Sequence, residues 1–268
     1  MPASLQGKVA LITGAGGSIG SHLAMALADA GAVLVLTDSE PERAQRVAQH
    51  IAAGGAQAHA LPLDVCNEEQ WSRATQAAVD RCGGLDIVIN NAGVEFFSVL
   101  RDVDAERARR LLDVNVVGVL LGIKHGLRCM APGGASGRGG TIVNIASAAA
   151  LGSPFGMGLY AASKAAVDRL TKVAAVESGL LRCGVRVNCV MPGAVTDSAM
   201  FSHLLDEMLE AGVFPNAEAA QARFAQQTPA GRCAALDEVA RAVLYLASDQ
   251  SAFVNGVSVP VDGGNHLA

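Results

Sequence analysis

Short unbroken apolar runs alternate with longer stretches of mixed polarity along this 268-residue chain. The runs are Val9 to Ile12, Val33 to Thr37, Ala58 to Pro62, Asp86 to Asn90, Thr141 to Ile145, Arg186 to Val190 and Gly256 to Val261. Segments such as Val9-Ala10-Leu11-Ile12 show no polar alternation, which predicts parallel strands covered on both faces. Ser21 to Ala30, Glu40 to Ala53 and Glu68 to Cys82 have helical length and mixed polarity. This rhythm predicts an α/β architecture, a doubly wound parallel sheet of seven strands with helices on both faces. No linker, repeat or compositional break interrupts residues 1–268, so one domain is expected. The least regular piece, about 194–228, is too long for an ordinary connection and reads as a lid or binding loop.

Composition narrows the functional classes. The chain is 51% hydrophobic, and 25 acidic against 20 basic residues leave a formal charge of -5. No Lys/Arg run resembles a track for a phosphate backbone, so nucleic acid is not an expected partner. No apolar run reaches the roughly 18 residues needed to span a bilayer, and Met1 to Lys8 lacks the layout of a secretory signal. The expectation is a cytoplasmic protein without a membrane segment. Cys66, Cys82, Cys129, Cys183, Cys189 and Cys233 are scattered, with no Cys-x-x-Cys pair, and read as separate reduced thiols. The six histidines show no metal-ligand spacing, so no metal is assigned.

Two motifs carry candidate chemistry. Thr13-Gly14-Ala15-Gly16-Gly17-Ser18-Ile19-Gly20 follows the first strand and opens a helix. That order suits a dinucleotide, because glycine admits the pyrophosphate close to the backbone and a helix N-terminus offers unpaired N–H groups. Asp38 ends the second strand, near the expected ~20 residues beyond the turn, where a carboxylate accepts from a ribose and repels a 2′-phosphate. No Lys or Arg lies in Ala15 to Ser18 or at Ser39, which favours NAD over NADP; a loop carboxylate that begins the next helix is the simpler reading of Asp38. The second motif, Tyr160-Ala161-Ala162-Ser163-Lys164, puts a phenol and an ammonium on one helix face. There Lys164 can favour the phenolate of Tyr160, although an aromatic on the core beside a solvated amine has the same spacing.

Taken in order, these motifs resemble the short-chain dehydrogenase/reductase family from Lys8 to Gly264. The others are Asp64-Val65, Asn90-Asn91-Ala92-Gly93, Asn115 between two valines, Ser147, Pro192-Gly193 through Thr196, and Val261-Asp262-Gly263-Gly264. Ser18 departs from the Gly or Ala usual in the middle of the glycine turn; its small hydroxyl reads either as fitting there or as bonding a phosphate. The resemblance implies a single Rossmann-like domain and a catalytic set of Asn115, Ser147, Tyr160 and Lys164. In it Tyr160 exchanges the carbinol proton, Lys164 lowers the phenol pKa and bonds the nicotinamide ribose, Ser147 bonds the substrate oxygen, and Asn115 holds a water. It also implies dinucleotide contacts at Gly14, Gly17, Ser18, Ile19, Gly20, Asp38, Asp64, Val65, Asn91, Ala92, Gly93, Tyr160, Lys164, Pro192, Gly193, Val195 and Thr196. A homotetramer is implied, assembled through the helices bearing Asn115 and Tyr160, with the last strand and tail at another contact. A hydrolase is disfavoured because Ser147 lacks a Gly-x-Ser-x-Gly setting.

The substrate region is read from scarce aromatics. Phe96, Phe97, Phe155, Phe201 and Phe214 fall beyond carboxyl ends of strands, where open α/β sheets bind ligands. Met200 to Leu209 has an apolar face with helical spacing, suiting either a surface helix or a hydrophobic cover. Between Ala194 and Ala222 there are five carboxylates and no Lys or Arg. An anionic group there would lack a cationic partner. The expected substrate is a neutral, bulky secondary alcohol or ketone, cyclic, aromatic or steroid-like, touching Ser147, Phe97, Phe155, Tyr160, Met200 and Phe201. The alternatives are a 3-oxoacyl thioester, with Arg128, Arg169 and Lys172 docking an acidic carrier or simply solvated, and a non-catalytic dinucleotide sensor.

Overall fold

The computed structural model describes residues 3–267. In chain order the main elements are β1 (Val9–Thr13), α1 (Ser18–Asp29), β2 (Val33–Asp38), α2 (Pro41–Ala53), β3 (Ala58–Pro62), α3 (Glu68–Cys82), β4 (Ile87–Asn90) and α4 (Ala105–Leu112). Then come α5 (Gly118–Met130), β5 (Gly140–Ile145), α6 (Gly158–Leu180), β6 (Val185–Pro192), α7 (Ala199–Glu210), α8 (Ala217–Gln226), α9 (Leu236–Ala247) and β7 (Ser258–Val261). All strand pairs are parallel, in the order β3-β2-β1-β4-β5-β6-β7. The order reverses between β1 and β4, which opens a crevice at their carboxyl ends.

The two-residue period of each strand divides the core into two clusters. Val9 and Leu11 pack with Trp71, Val88, Leu121, Ile142 and Val167. Ala10 and Ile12 join Leu23, Leu34, Ile89, Val243 and Leu246 in the other cluster. Each fully buried aliphatic side chain contributes roughly 1.5–3 kcal/mol, so both strand faces must be apolar. Helix α6 obeys a different period. Tyr160, Ser163, Lys164, Val167, Thr171, Ala174 and Ser178 form its buried stripe at spacings of three and four. Tyr160 and Lys164 therefore share the face turned to the sheet.

Differences from the expected boundaries have local causes. Helix α1 begins at Ser18 rather than Ser21, because Gly17 takes the N-cap inside the glycine turn. The stretch 194–228 is not irregular throughout. Ser198 caps α7 by accepting from the Phe201 N–H at 3.1 Å, and Asn216 caps α8 by accepting from the Ala219 N–H at 2.9 Å. Helix α8 lacks a strong apolar stripe, with Ala220 its buried residue, so periodicity does not reveal it. Phe201 accordingly lies in a helix rather than a loop, and packs edge-on against Phe224 at 5.1 Å. Among the described residues, no helix is long and apolar enough to cross a membrane.

Candidate active site

The carboxyl ends of the strands open into a cavity of about 950 Å³. At one end lies the glycine turn. Gly14 has φ +60°, and a Cβ there would come within 2.9 Å of Ala92 Cα. A Cβ on Gly20 would lie 2.2 Å from the Gly14 carbonyl oxygen. Only bare backbone fits these positions. Gly17 offers no side chain to cap α1, and Ser18, Ile19 and Gly20 line the cavity. The helix N-terminus thus presents unpaired N–H groups and positive potential to it. Such a cradle fits a pyrophosphate.

Asn91 braces this turn. Its backbone N–H donates to Thr13 Oγ1 at 3.0 Å, and its Nδ2 donates to the carbonyls of Thr13 and Gly14 at 2.9 and 3.1 Å. Asp38 is buried at the end of β2, where its two oxygens accept from the Gly16 and Glu40 N–H groups at 3.0 and 3.1 Å. It also lines the cavity, as do Asp64, Val65, Ala92 and Gly93. Arg43 from α2 lines the same end and is held by Glu40 at 3.1 Å. The linear scan for a basic residue missed it because α2 folds Arg43 back over Gly16, where a Cβ would come 2.3 Å from the Arg43 Cβ.

Ser18 does something other than sit passively in the turn. Its Oγ accepts from the Ala199 N–H at 3.0 Å, joining the glycine turn to the first turn of α7. Pro192, Gly193, Val195, Met200 and Phe201 also line the cavity. Thr196 does not contribute to its lining. Nor do Phe97 and Phe155, whose rings pack against each other at 5.9 Å. Phe97 instead lies over Gly156, where a Cβ would come within 2.0 Å of its ring.

Ser147, Tyr160 and Lys164 meet at the other end of the cavity. Ser147 Oγ donates to the Pro192 carbonyl at 3.4 Å, accepts from the Ala149 N–H at 3.2 Å, and lies where it favours the ionised form of the Tyr160 phenol. Lys164 Nζ donates to the Ile145 carbonyl at 3.0 Å and lies 5.6 Å from the centre of the Tyr160 ring. Burial drives the phenol upward from its ordinary pKa, the Glu95 carboxylate pushes the same way, and the nearby Ser147 hydroxyl pulls it down. This direction is opposite to the expected lowering by Lys164. Burial brings the Lys164 ammonium down to about 8, against the pull of Cys189 and Glu95. The pair is thus held dry, with both groups biased toward their neutral forms.

Asn115 lies off the cavity wall, fully buried in a π-type turn between α4 and α5. Its Nδ2 donates to the Val94 carbonyl at 2.8 Å and to Ser163 Oγ at 3.1 Å, while its Oδ1 accepts from the Val94 N–H at 2.8 Å. Asn115 therefore clamps the loop after β4 onto α6. That loop carries Glu95, which lines the cavity near Tyr160 and which motif reading overlooked. Met157, Leu204 and Phe96 form an apolar cluster with Tyr160. Helix α7 is tied down by Glu207, which accepts from the Phe97 N–H and from Arg107, both at 2.6 Å.

The comparisons with known proteins agree with this geometry. A family model described as enoyl-(acyl carrier protein) reductase matches residues 14–266. The chain is 35% identical to (+)-borneol dehydrogenase 2 of Salvia officinalis over 98% of its own length and 91% of that protein. NAD+-bound xylitol dehydrogenase superposes with a TM-score of 0.90 at 30% identity, covering 97% of this chain and 99% of the other. A gluconate 5-dehydrogenase from Burkholderia cenocepacia in complex with NADP and tartrate gives 0.87 at 33% identity, covering 99% and 97%. With a glycine-built cradle at one end of its cavity and a Ser-Tyr-Lys cluster at the other, the chain belongs to the short-chain dehydrogenase/reductase family of oxidoreductases.

Proposed function

We propose that the protein is an NAD-dependent dehydrogenase or ketone reductase acting on a neutral, bulky secondary alcohol or its ketone, with cyclic compounds foremost. The observation that carries this reading is the convergence of Ser147, Tyr160 and Lys164 on one cavity with the glycine turn and Asp38. When bound there, the nicotinamide supplies hydride transfer, and its oxidised ring adds positive charge. Gly14, Gly17, Ser18, Ile19 and Gly20 hold the pyrophosphate, Asp64, Val65 and Ala92 line the path of the adenosine, and Gly193 and Val195 face the nicotinamide end. Thr196, outside the cavity lining, is a weaker member of the set.

In oxidation Tyr160 takes the proton from the substrate hydroxyl, and in reduction it returns one. Ser147 donates to the substrate oxygen and steadies the charge that develops on it. Lys164 supplies the nearby cation, and Asn115 positions the loop between Gly93 and Phe96. Residues 194–228 form the lid, with Met200 and Phe201 against the substrate. Asp38 supports NAD because a 2′-phosphate would meet its carboxylate; Arg43 is the residue that would act in favour of NADP.

The apolar chamber around Met157, Leu204 and Phe201 supports a neutral substrate. So does the dehydrogenase that acts on borneol, a cyclic alcohol. A homotetramer is part of the reading, supported by exposed Leu120, Val173, Val176 and Leu180 on α5 and α6 and by exposed Phe253 near β7. A cytoplasmic location completes it, in keeping with six free cysteines. The test is a steady-state panel of neutral cyclic ketones beside an acetoacetyl thioester, with NADH and NADPH. Preference for a cyclic ketone with NADH supports the reading, and preference for the thioester overturns the substrate class.

A further inference from the structure

Glu95 is anchored on both sides. Asn115 clamps Val94 before it through two bonds of 2.8 Å, Phe96 after it is buried, and Glu207 holds the Phe97 N–H at 2.6 Å. The Glu95 side chain lines the chamber with Ser147, Met157, Tyr160 and Leu204. Among the described residues, no hydrogen bond or ion pair reaches its carboxylate. Glu207 differs, since its two oxygens are used by Phe97 and Arg107. The charged groups that act on Glu95 are Lys164, which favours its ionised form, and Glu207, which opposes it. Burial outweighs both and pushes the carboxyl up to about 7.

Glu95 is half-buried on the chamber wall, so a ligand that covers its carboxylate must supply a donor or leave a desolvated acceptor, which costs free energy. Deepening the proposed function, on which this inference rests, we propose that the substrate carries a second hydroxyl, and that Glu95 accepts its hydrogen bond while the reacting carbinol lies against Ser147 and Tyr160. The substrate class is then a diol or a hydroxyketone. A cationic amine is a poorer match, because Lys164 already occupies the chamber and burying a second ammonium costs more than burying a hydroxyl. An anionic group would meet the Glu95 and Glu207 carboxylates.

The experiment compares kcat/KM for cyclohexanol, the 1,2-, 1,3- and 1,4-cyclohexanediols, their mono-O-methyl ethers and an aminocyclohexanol, in wild type and in Glu95→Leu and Glu95→Gln. At least one diol should exceed both cyclohexanol and its own methyl ether by about tenfold or more, the ratio expected of one hydrogen bond to a charged acceptor. Glu95→Leu should collapse that ratio, and Glu95→Gln, which keeps an amide oxygen, should fall between. NAD affinity, read by fluorescence titration, verifies that the variants are folded. Turnover of cyclohexanol by wild type with no preference for any diol overturns the inference and leaves the proposed function standing. A diol preference that survives Glu95→Leu, or a preference for the amine, overturns it as well. Absence of nicotinamide-linked turnover with every compound overturns the proposed function and this inference together.

Discussion

At one end of the cavity the wall is backbone; at the other it is side chains. The cradle is made by Gly14, Gly17 and Gly20 and braced by Asn91, and its carboxylate, Asp38, already accepts two N–H bonds. The chamber is made by Met157 at the N-cap of α6 and by Phe201 and Leu204 of α7, and among the described residues it holds a carboxylate, Glu95, without a partner. A wall of backbone recognises what all dinucleotides share, whereas a wall of side chains distinguishes one small molecule from another. Satisfied polar groups make the first end rigid. The second end, with an unpartnered carboxylate, is where we propose that selectivity resides.

Changes at the junction of the two ends should have the largest effect. Tyr160→Phe removes the hydroxyl proposed to exchange the substrate proton, so kcat should fall by at least ~10²–10⁴-fold. NAD affinity, measured by titration, should change little, because the cradle is untouched. A variant that keeps substantial turnover would show that the proton moves elsewhere.

The next effect lies within the cradle. Asp38→Ala should reduce the preference for NAD over NADP by about tenfold or more, the factor worth ~1.4 kcal/mol. Arg43 would then be free to act on a 2′-phosphate. Equal use of both cofactors by wild type would mean that Asp38 does not read the ribose. Smaller again is the chamber's cover. Glu207→Ala releases α7 from Phe97 and Arg107, and should raise KM severalfold while leaving NAD affinity near its original value. Bonds to charged groups contribute about 1.5–3 kcal/mol, and the partial exposure of Arg107 reduces that here.

The smallest effects concern pH. Glu95 helps to hold the Tyr160 phenol up, so Glu95→Gln should move the rising limb of the oxidation profile, where the phenol loses its proton, toward lower pH. Its own carboxyl is raised to about 7 from 4.5. The folded state therefore holds the proton more tightly than the unfolded one, and stability falls as pH rises across that window. The loss is complete above it. Glu95→Gln should consequently raise Tm more at pH 8 than at pH 4.5, by about 2–4 °C for each kcal/mol recovered. Loss of the Glu95 charge also withdraws its support for the Lys164 ammonium, which works against the gain at pH 8. An equal change at both values would place Glu95 outside the buried electrostatics.

The cradle was legible in the sequence because its requirements are local. Strand β1, the turn and α1 are contiguous, and glycine alone tolerates the approach of Gly20 to the Gly14 carbonyl. The Tyr160–Lys164 pair was legible as a helical spacing, but the direction of the phenol shift was not. That direction depends on burial and on Glu95, which arrives from the β4 loop. Arg43 escaped notice for a similar reason, since a fold of α2 and not sequence adjacency brings it to Asp38. Phe97 and Phe155 satisfied the position expected of substrate contacts, yet they pack against each other at a tilt outside the cavity lining. Being in a loop beyond a strand end fixes the neighbourhood of a side chain and not its direction.

The most direct test is isotopic. A neutral cyclic secondary alcohol deuterated at its carbinol carbon is incubated with the enzyme and NAD, and the reduced cofactor is analysed by mass spectrometry and NMR. Hydride transfer beside Tyr160 predicts one deuterium at C4 of the nicotinamide and the matching ketone in equal amount. Ketone formed without label on the cofactor, or no reduction of NAD by any such alcohol, would contradict it.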